Sequence, residues 1–237
     1  MKSFSLTDVG QVRSQNQDYV YASEQPIGNL PNLFVLADGM GGHNAGDFAS
    51  RCAVSVIEAS VKKDMSFNPI KIMRHAIEEA NEKIHELAKA DAGKAGMGTT
   101  LVAVTVVGYY AYVANVGDSR LYLFRDGLSQ ITRDHSLVEE MVSLGKLERN
   151  SESYRSQKNI ITRAVGIRPA VTADFFEVSL KKDDCVLLCS DGLSNMAEES
   201  LIGSILAAPA ALKEKTSRLI QAANENGGKD NIAVILI

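Results

Sequence analysis

Six residues of this chain have the types and settings that hold hard cations or anions: the carboxylates Asp18, Asp38, Asp118, Asp191 and Asp230, and the guanidinium of Arg13. Four of the aspartates stand at glycine-marked turns: Asp38-Gly39, Gly117-Asp118, Asp191-Gly192 and Gly228-Lys229-Asp230. In two of them an apolar run leads straight into Asp-Gly, Leu33 to Ala37 before Asp38 and Cys185 to Cys189 before Ser190-Asp191. A strand that ends this way sets a carboxylate oxygen, and at Gly39 a bare backbone carbonyl, at the rim of a sheet. Mg²⁺ and Mn²⁺ select that oxygen chemistry. The glycines after Asp38 admit positive φ and a close approach to the backbone. Taken singly, each motif is equally a tight turn whose Asp accepts a backbone hydrogen bond. Four in one chain call for more, because clustered unpaired carboxylates raise one another's pKa. Divalent cations remove that penalty, so a binuclear metal centre is the economical reading. Arg13 and Asp18 flank a polar loop with no helical stripe, and tertiary contacts must fix them. There Arg13 reads as a fork for a phosphate and Asp18 as a neighbour of the metal, or else as a solvated Arg and a turn-forming Asp.

The elements around these residues follow from periodicity. Phe4 to Leu6 and Tyr19 to Ala22 read as short strands. A helix over 45–61 carries Phe48, Ala49, Cys52, Ala53, Val56 and Ile57 on one stripe, and a second opens at the cap Asn68-Pro69. From Thr99 the period becomes strand-like: 99–107, 109–116, 120–124 and 128–132 form an antiparallel meander with a hairpin turn at Arg125-Asp126-Gly127. A short helix is expected over 137–144. The stretch 145–159 is polar and aperiodic and reads as a mobile excursion. Further strands are expected over 175–180, 185–189 and 232–237, with helices over 197–206 and 209–224. His75 and His85 lie on the second helix without a carboxylate cluster and read as surface residues.

Composition narrows the classes. The chain has 237 residues, 45% hydrophobic and 23% charged, the profile of one globular domain spanning residues 1–237. A formal net charge of -4 argues against nucleic acid, which needs clustered Lys and Arg. No apolar run approaches the ~20 residues of a membrane span, and a signal-peptide core is lacking, so a soluble, cytoplasmic protein is expected. Three cysteines make no disulfide framework; Cys185 and Cys189, about 13 Å apart along a strand, read as core residues.

The motifs, taken together, carry a resemblance. Thr7-Asp8-Val9-Gly10, Arg13, Asn16-Gln17-Asp18, Asp38-Gly39-Met40-Gly41-Gly42-His43, Gly98-Thr99-Thr100 and Gly117-Asp118-Ser119-Arg120 come first. Asp134-His135-Ser136, Thr162-Arg163-Ala164-Val165-Gly166, Ser190-Asp191-Gly192-Leu193 and Gly228-Lys229-Asp230-Asn231 follow. In this order and along nearly the whole length, the chain resembles the bacterial metal-dependent Ser/Thr protein phosphatases of the type-2C (PPM) family. The resemblance implies an α+β fold, a four-layer α-β-β-α sandwich of two antiparallel β-sheets flanked by helix pairs. It implies hydrolysis of phosphoserine and phosphothreonine in proteins by a water activated between two metals, reversing a bacterial Ser/Thr protein kinase. Asp38 would bridge the two tightly bound Mn²⁺ or Mg²⁺ ions, with Asp191 and Asp230 completing one site, and Asp18 and the Gly39 carbonyl serving the other. Asp118 and Asp191 would hold a third, weaker ion. Arg13 would bind the substrate phosphate and His43 protonate the leaving alkoxide. The partners implied are phosphorylated proteins, including a Ser/Thr protein kinase, for a monomer that binds neither nucleic acid nor membrane.

One segment departs from the pattern. The stretch 145–159 corresponds to the flap over the site, where a His-Pro common in bacterial members is replaced by Arg155-Ser156. The change bears on substrate choice. Two other classes stay open on sequence alone. A catalytically dead binding module would have lost metal ligands, and every one is present. A phosphatase of small esters would have a closed pocket in place of a shallow, exposed site.

Overall fold

The computed structural model describes residues 1–42, 45–149 and 151–237, with the backbone alone of Arg155. The described residues form two antiparallel sheets. One runs in the order β1 (Phe4–Asp8), β11 (Ile232–Leu236), β10 (Cys185–Cys189), β7 (Arg120–Phe124) and β8 (Leu128–Gln130). The other runs β2 (Asp18–Ser23), β3 (Leu33–Met40), β5 (Leu101–Val107), β6 (Tyr110–Val116) and β9 (Asp174–Ser179), with β4 (Gly98–Thr99) paired to the end of β3.

The side-chain alternation of the strands builds three cores. On β3, Leu33, Val35 and Ala37 face the helices α1 (Ala45–Lys63) and α2 (Pro69–Ala90), while Phe34 and Leu36 face the opposite sheet. On β10 and β11, Leu187, Cys189, Val234 and Leu236 face α5 (Asp191–Ser194), α6 (Glu199–Ala207) and α7 (Leu212–Glu225), while Val186, Leu188, Ala233 and Ile235 meet the first set between the sheets. Central strands are therefore buried on both faces. That is why they read as continuous apolar runs, although they are antiparallel. The result is the expected sandwich: helices, sheet, sheet, helices. Among the described residues, no helix is long and apolar enough to cross a membrane.

Several expectations need correction. Phe48 is exposed rather than core and lies under Lys94, whose Nζ is 4.8 Å from the ring centroid. Helix α1 instead buries its small residues, Ala45, Gly46, Ala49, Ser50 and Ala53, because it packs closely against the β3 end. Strand 99–107 is broken at Thr100, whose N–H leaves the ladder for the Asp38 carbonyl at 2.8 Å. His85 is half-buried rather than free on the surface: its Nδ1 lies 3.1 Å from the Gly166 carbonyl, tying α2 to that turn. The excursion is not featureless either. It contains α4 (Glu152–Gln157) and follows α3 (Leu137–Ser143). The buried Glu139 anchors it, accepting from Tyr154 Oη at 2.7 Å and from Arg149 Nη2 at 2.6 Å.

Candidate active site

All five aspartates approach one another at one end of the two sheets. Asp18 begins β2 rather than ending a loop, and the register sets it directly opposite Asp38 on β3. Asp191 lies not at a strand end but in the first turn of α5, one residue beyond Ser190. Ser190 reaches between sheets, donating its hydroxyl to Asp18 Oδ2 at 2.7 Å and accepting from the Ala233 N–H at 2.8 Å. The Asp38 carboxyl lies close enough to Asp18 and Asp191 for their charges to act on it. Its backbone is held by Thr100 and Thr99, the latter donating Oγ1 to the Asp38 carbonyl at 2.9 Å. Close packing dictates two of the glycines. A Cβ on Gly39 would lie 2.0 Å from the Gly46 carbonyl, and one on Gly192 would lie 1.9 Å from the Asn231 carbonyl. Space is the requirement at Gly39; of the glycines following Asp38, Gly41 is the one with positive φ, at +148°.

The electrostatics are those of anions forced together. Asp18 and Asp118 are pushed up to about 7 and Asp191 to about 6, in each case first by burial and then, among other charges, by neighbouring aspartates. Asp38 is raised well above the carboxylate range by burial and by Asp18, Asp191, Asp118 and Asp230. Asp18 Oδ1 is buried with no hydrogen-bond partner among the described residues. Among those residues, no three His, Cys, Asp or Glu side chains converge as a finished ligand set. The two findings concern different distances: charges shift one another across ~4–6 Å, whereas ligands meet within ~2.0–2.6 Å of one point. An all-oxygen donor group with an orphaned carboxylate oxygen suits Mg²⁺ or Mn²⁺.

Arg13 stands at the rim, its Nη2 2.8 Å from Asp230 Oδ2. Both side chains are more than a third exposed, so the pair contributes little to stability and the guanidinium can exchange partners. Gly10 lies so close to the Asp230 carbonyl that a Cβ would come within 2.3 Å, and the Gln11 N–H donates to the Gly228 carbonyl at 2.7 Å. The two ends of the chain thus share one wall of the site. From the flap side, Asn195 Nδ2 donates to Asp191 Oδ2 at 2.9 Å and reaches Asn159 Oδ1 at 3.4 Å. Beside Met40 a half-open cavity of about 550 Å³ runs along Ile161, Thr162, Arg163 and Ile167. His43, expected to be the general acid, lies outside the described residues, as does the side chain of Arg155.

Three residues that the sequence offered only as motif members, without a role of their own, build this end of the molecule. Asn231 accepts from Gln17 N–H at 2.8 Å and donates to the carbonyls of Val9 at 2.9 Å and Gln15 at 2.8 Å. Thr100 Oγ1 lies 2.7 Å from Ser119 Oγ, joining the Asp38 and Asp118 turns. Ser190 joins Asp18 to β11. Ser190 and Asn231 each stand beside a singled-out Asp, and Thr100 stands in the Gly98-Thr99-Thr100 motif, which was the available signal.

Comparison with known proteins follows the same lines. The model of the family described as protein phosphatase 2C matches residues 10–236. Protein phosphatase PhpP of Streptococcus pneumoniae is 41% identical, over 98% of this chain and 95% of the relative. The serine/threonine phosphatase of S. agalactiae superposes with a TM-score of 0.92 at 39% identity, covering 99% of this chain and 98% of that one. The catalytic domain of the serine/threonine protein phosphatase PstP, solved with two manganese ions, superposes with a TM-score of 0.86 at 32% identity, covering 99% and 96%. The chain belongs to the protein phosphatase 2C family of serine/threonine phosphatases.

Proposed function

We propose that this phosphatase hydrolyses phosphoserine and phosphothreonine in proteins at a binuclear Mg²⁺ or Mn²⁺ centre, opposing a Ser/Thr protein kinase. The carrying observation is the field shared by Asp18, Asp38, Asp118 and Asp191, with Asp18 Oδ1 left without a partner. Asp38, Asp191, Asp230, Asp18 and the Gly39 carbonyl would hold the two tightly bound ions, with Asp38 serving both. Asp118 and Asp191 would hold a third ion more weakly. Bound there, the ions would acidify a water and offset the charge of the phosphate dianion.

The chain's own groups do the rest. Arg13 forks onto the phosphate, releasing Asp230 as it does so. Ser190 holds Asp18 in place, and Thr100 holds the backbone of Asp38. A serine alkoxide is a poor leaving group, and the role of giving it a proton falls to His43 on sequence grounds. The half-open cavity beside Met40 suits a protein segment rather than a small ester. We read residues 1–237 as one catalytic domain with 145–159 as its flap, acting as a cytoplasmic monomer.

The test is Asp38→Asn assayed with Mn²⁺ on phosphopeptides and on small phosphate esters. Loss of turnover on both, with an unchanged circular dichroism spectrum, is expected. Turnover like that of the natural protein would remove the two-metal reading. A preference of the natural protein for small esters would move the substrate class.

A further inference from the structure

His135 stands where three segments meet, and the residue is 5% exposed. Its backbone N–H donates to the Gly117 carbonyl at 2.9 Å, and the Gly117 N–H donates back to the ring Nδ1 at 3.1 Å. Both polar groups of the residue just before Asp118 are thus engaged by one histidine. Asn115 Nδ2 reaches the same carbonyl at 3.3 Å. On the far side of the ring, Nε2 lies 3.1 Å from Asp174 Oδ2 and 3.4 Å from Arg163 Nη1. Arg163 Nη1 in turn donates to Asp174 Oδ1 at 2.9 Å. The His135 carbonyl accepts from the Thr162 N–H at 2.8 Å, where the chain returns from the flap.

These bonds assign the tautomer. Nδ1 receives an N–H, so it carries the lone pair; the ring proton sits on Nε2 and is donated to Asp174. Arg163 offers only donors and cannot bond an Nε2–H, so the carboxylate of Asp174 takes one bond from each. Gly117 has φ +105°, and a Cβ there would come within 2.7 Å of Thr100. Glycine is required, and its permissive backbone does not fix the turn by itself. The turn is fixed from outside: Ser119 bonds Thr100 after Asp118, and His135 clamps Gly117 before it.

We propose that His135 is a positioning residue for Asp118: its neutral imidazole clamps the Gly117 peptide and ties that turn to Asp174 and Arg163 beside the cavity, so that the ring sets where the Asp118 carboxylate points. The inference rests on reading Asp118 as a ligand of the weak metal site. Groups that orient a ligand from behind are worth about 10–100-fold in affinity or activity.

Two measurements test it. In the natural protein without metal, ¹⁵N spectra of the imidazole should show the proton on Nε2 alone, with Nδ1 coupled to the Gly117 amide. A proton on Nδ1 overturns the clamp. Kinetics then compare two variants. His135→Asn keeps an oxygen near the Nδ1 position and should retain kcat within about threefold. His135→Gln keeps only the reach to Asp174 and should lose about 10–100-fold in kcat at unchanged KM, need more Mn²⁺ for its weak phase, and displace the Asp118 amide resonance. Normal turnover in His135→Gln, or equal losses in both variants, would reduce the ring to filler and overturn the proposal. Should both variants fail to fold, the ring spectrum of the natural protein decides. Should the natural protein lack turnover on phosphopeptides, the proposed function falls, while the spectra still judge the clamp.

Discussion

Removing divalent cations should make this protein lose stability as pH rises, against the usual acid-side loss. Asp18 and Asp118 are 3% and 8% exposed and are held up to about 7, from an ordinary 3.8. Such a carboxyl binds its proton more tightly in the fold than in the unfolded chain. Its stabilising share is full below the unfolded value, is lost as pH rises through the folded one, and is absent above it. For Asp118 alone, with 3.8 unfolded and about 7 folded, the loss between about pH 5 and pH 8 is roughly 2–3 kcal/mol. Asp18, Asp38 and Asp191 act in the same direction but exchange protons with one another, so their shares do not simply add. His135 opposes them: burial lowers its pKa, so its share of stability grows as pH rises toward the ordinary 6.5. One histidine does not reverse four carboxylates. Asp64, Asp174 and Asp184 are held below their ordinary values and lose their shares only on the acid side of this window. The assay is urea unfolding from pH 5 to 8, with chelator and with excess Mn²⁺. Stability in chelator should fall by at least about 2 kcal/mol, Mn²⁺ should flatten the slope, and Asp118→Asn should remove part of it. A chelated protein whose stability is flat or rising from pH 5 to 8 would refute the shared-field argument.

Asn231→Ala deletes three hydrogen bonds between the chain ends. It should cost about 2–4 kcal/mol, read as a melting point lower by about 5–15 °C; a drop under about 2 °C would mean the loop is held by other contacts. Asp134→Ala strips the carboxylate that pairs with Arg120, whose side chain is 19% exposed. The buried guanidinium left behind should cost about 3–5 kcal/mol in urea unfolding, and adding Arg120→Met should recover much of it; no recovery would contradict the unpaired-charge account. Arg13→Ala should raise KM for phosphopeptides more than it lowers kcat, with an unchanged melting point because its pair with Asp230 is exposed. A collapsed kcat at constant KM would assign Arg13 to the transition state alone.

What could be read from the sequence was what is local. Asp38-Gly39 and Asp191-Gly192 stand out because an apolar run stops at them, and that run is buried for reasons the run itself contains. The Asn68-Pro69 start of α2 was legible likewise: the Asn68 side chain accepts from the Lys71 N–H at 3.0 Å. Missed features depend on distant partners. Nothing near Ser190 in the chain announces Asp18, 172 positions away. Helix α4 has no apolar stripe and is anchored instead through Tyr154 and Arg149 to one buried carboxylate, Glu139. Phe48 fitted a helical stripe, yet the face that packs on β3 needs small residues, and aromatic bulk went outward. Helix α5, at four residues, is shorter than any period can reveal.

The pairing of β1 with β11, Phe4 opposite Leu236, has a consequence for biosynthesis. A nascent chain on the ribosome can form the β5–β6 hairpin and the α1–α2 pair early, since these join neighbours in sequence. The loop bearing Arg13, which leads into Asp18, has to wait, because its seat is made by Gly228, Asp230 and Asn231, more than 200 residues later. Closing so long a loop is slow on the scale of local folding. Until Gly228, Asp230 and Asn231 are made, the Arg13 wall of the site lacks its seat, and it closes as β11 docks beside β1.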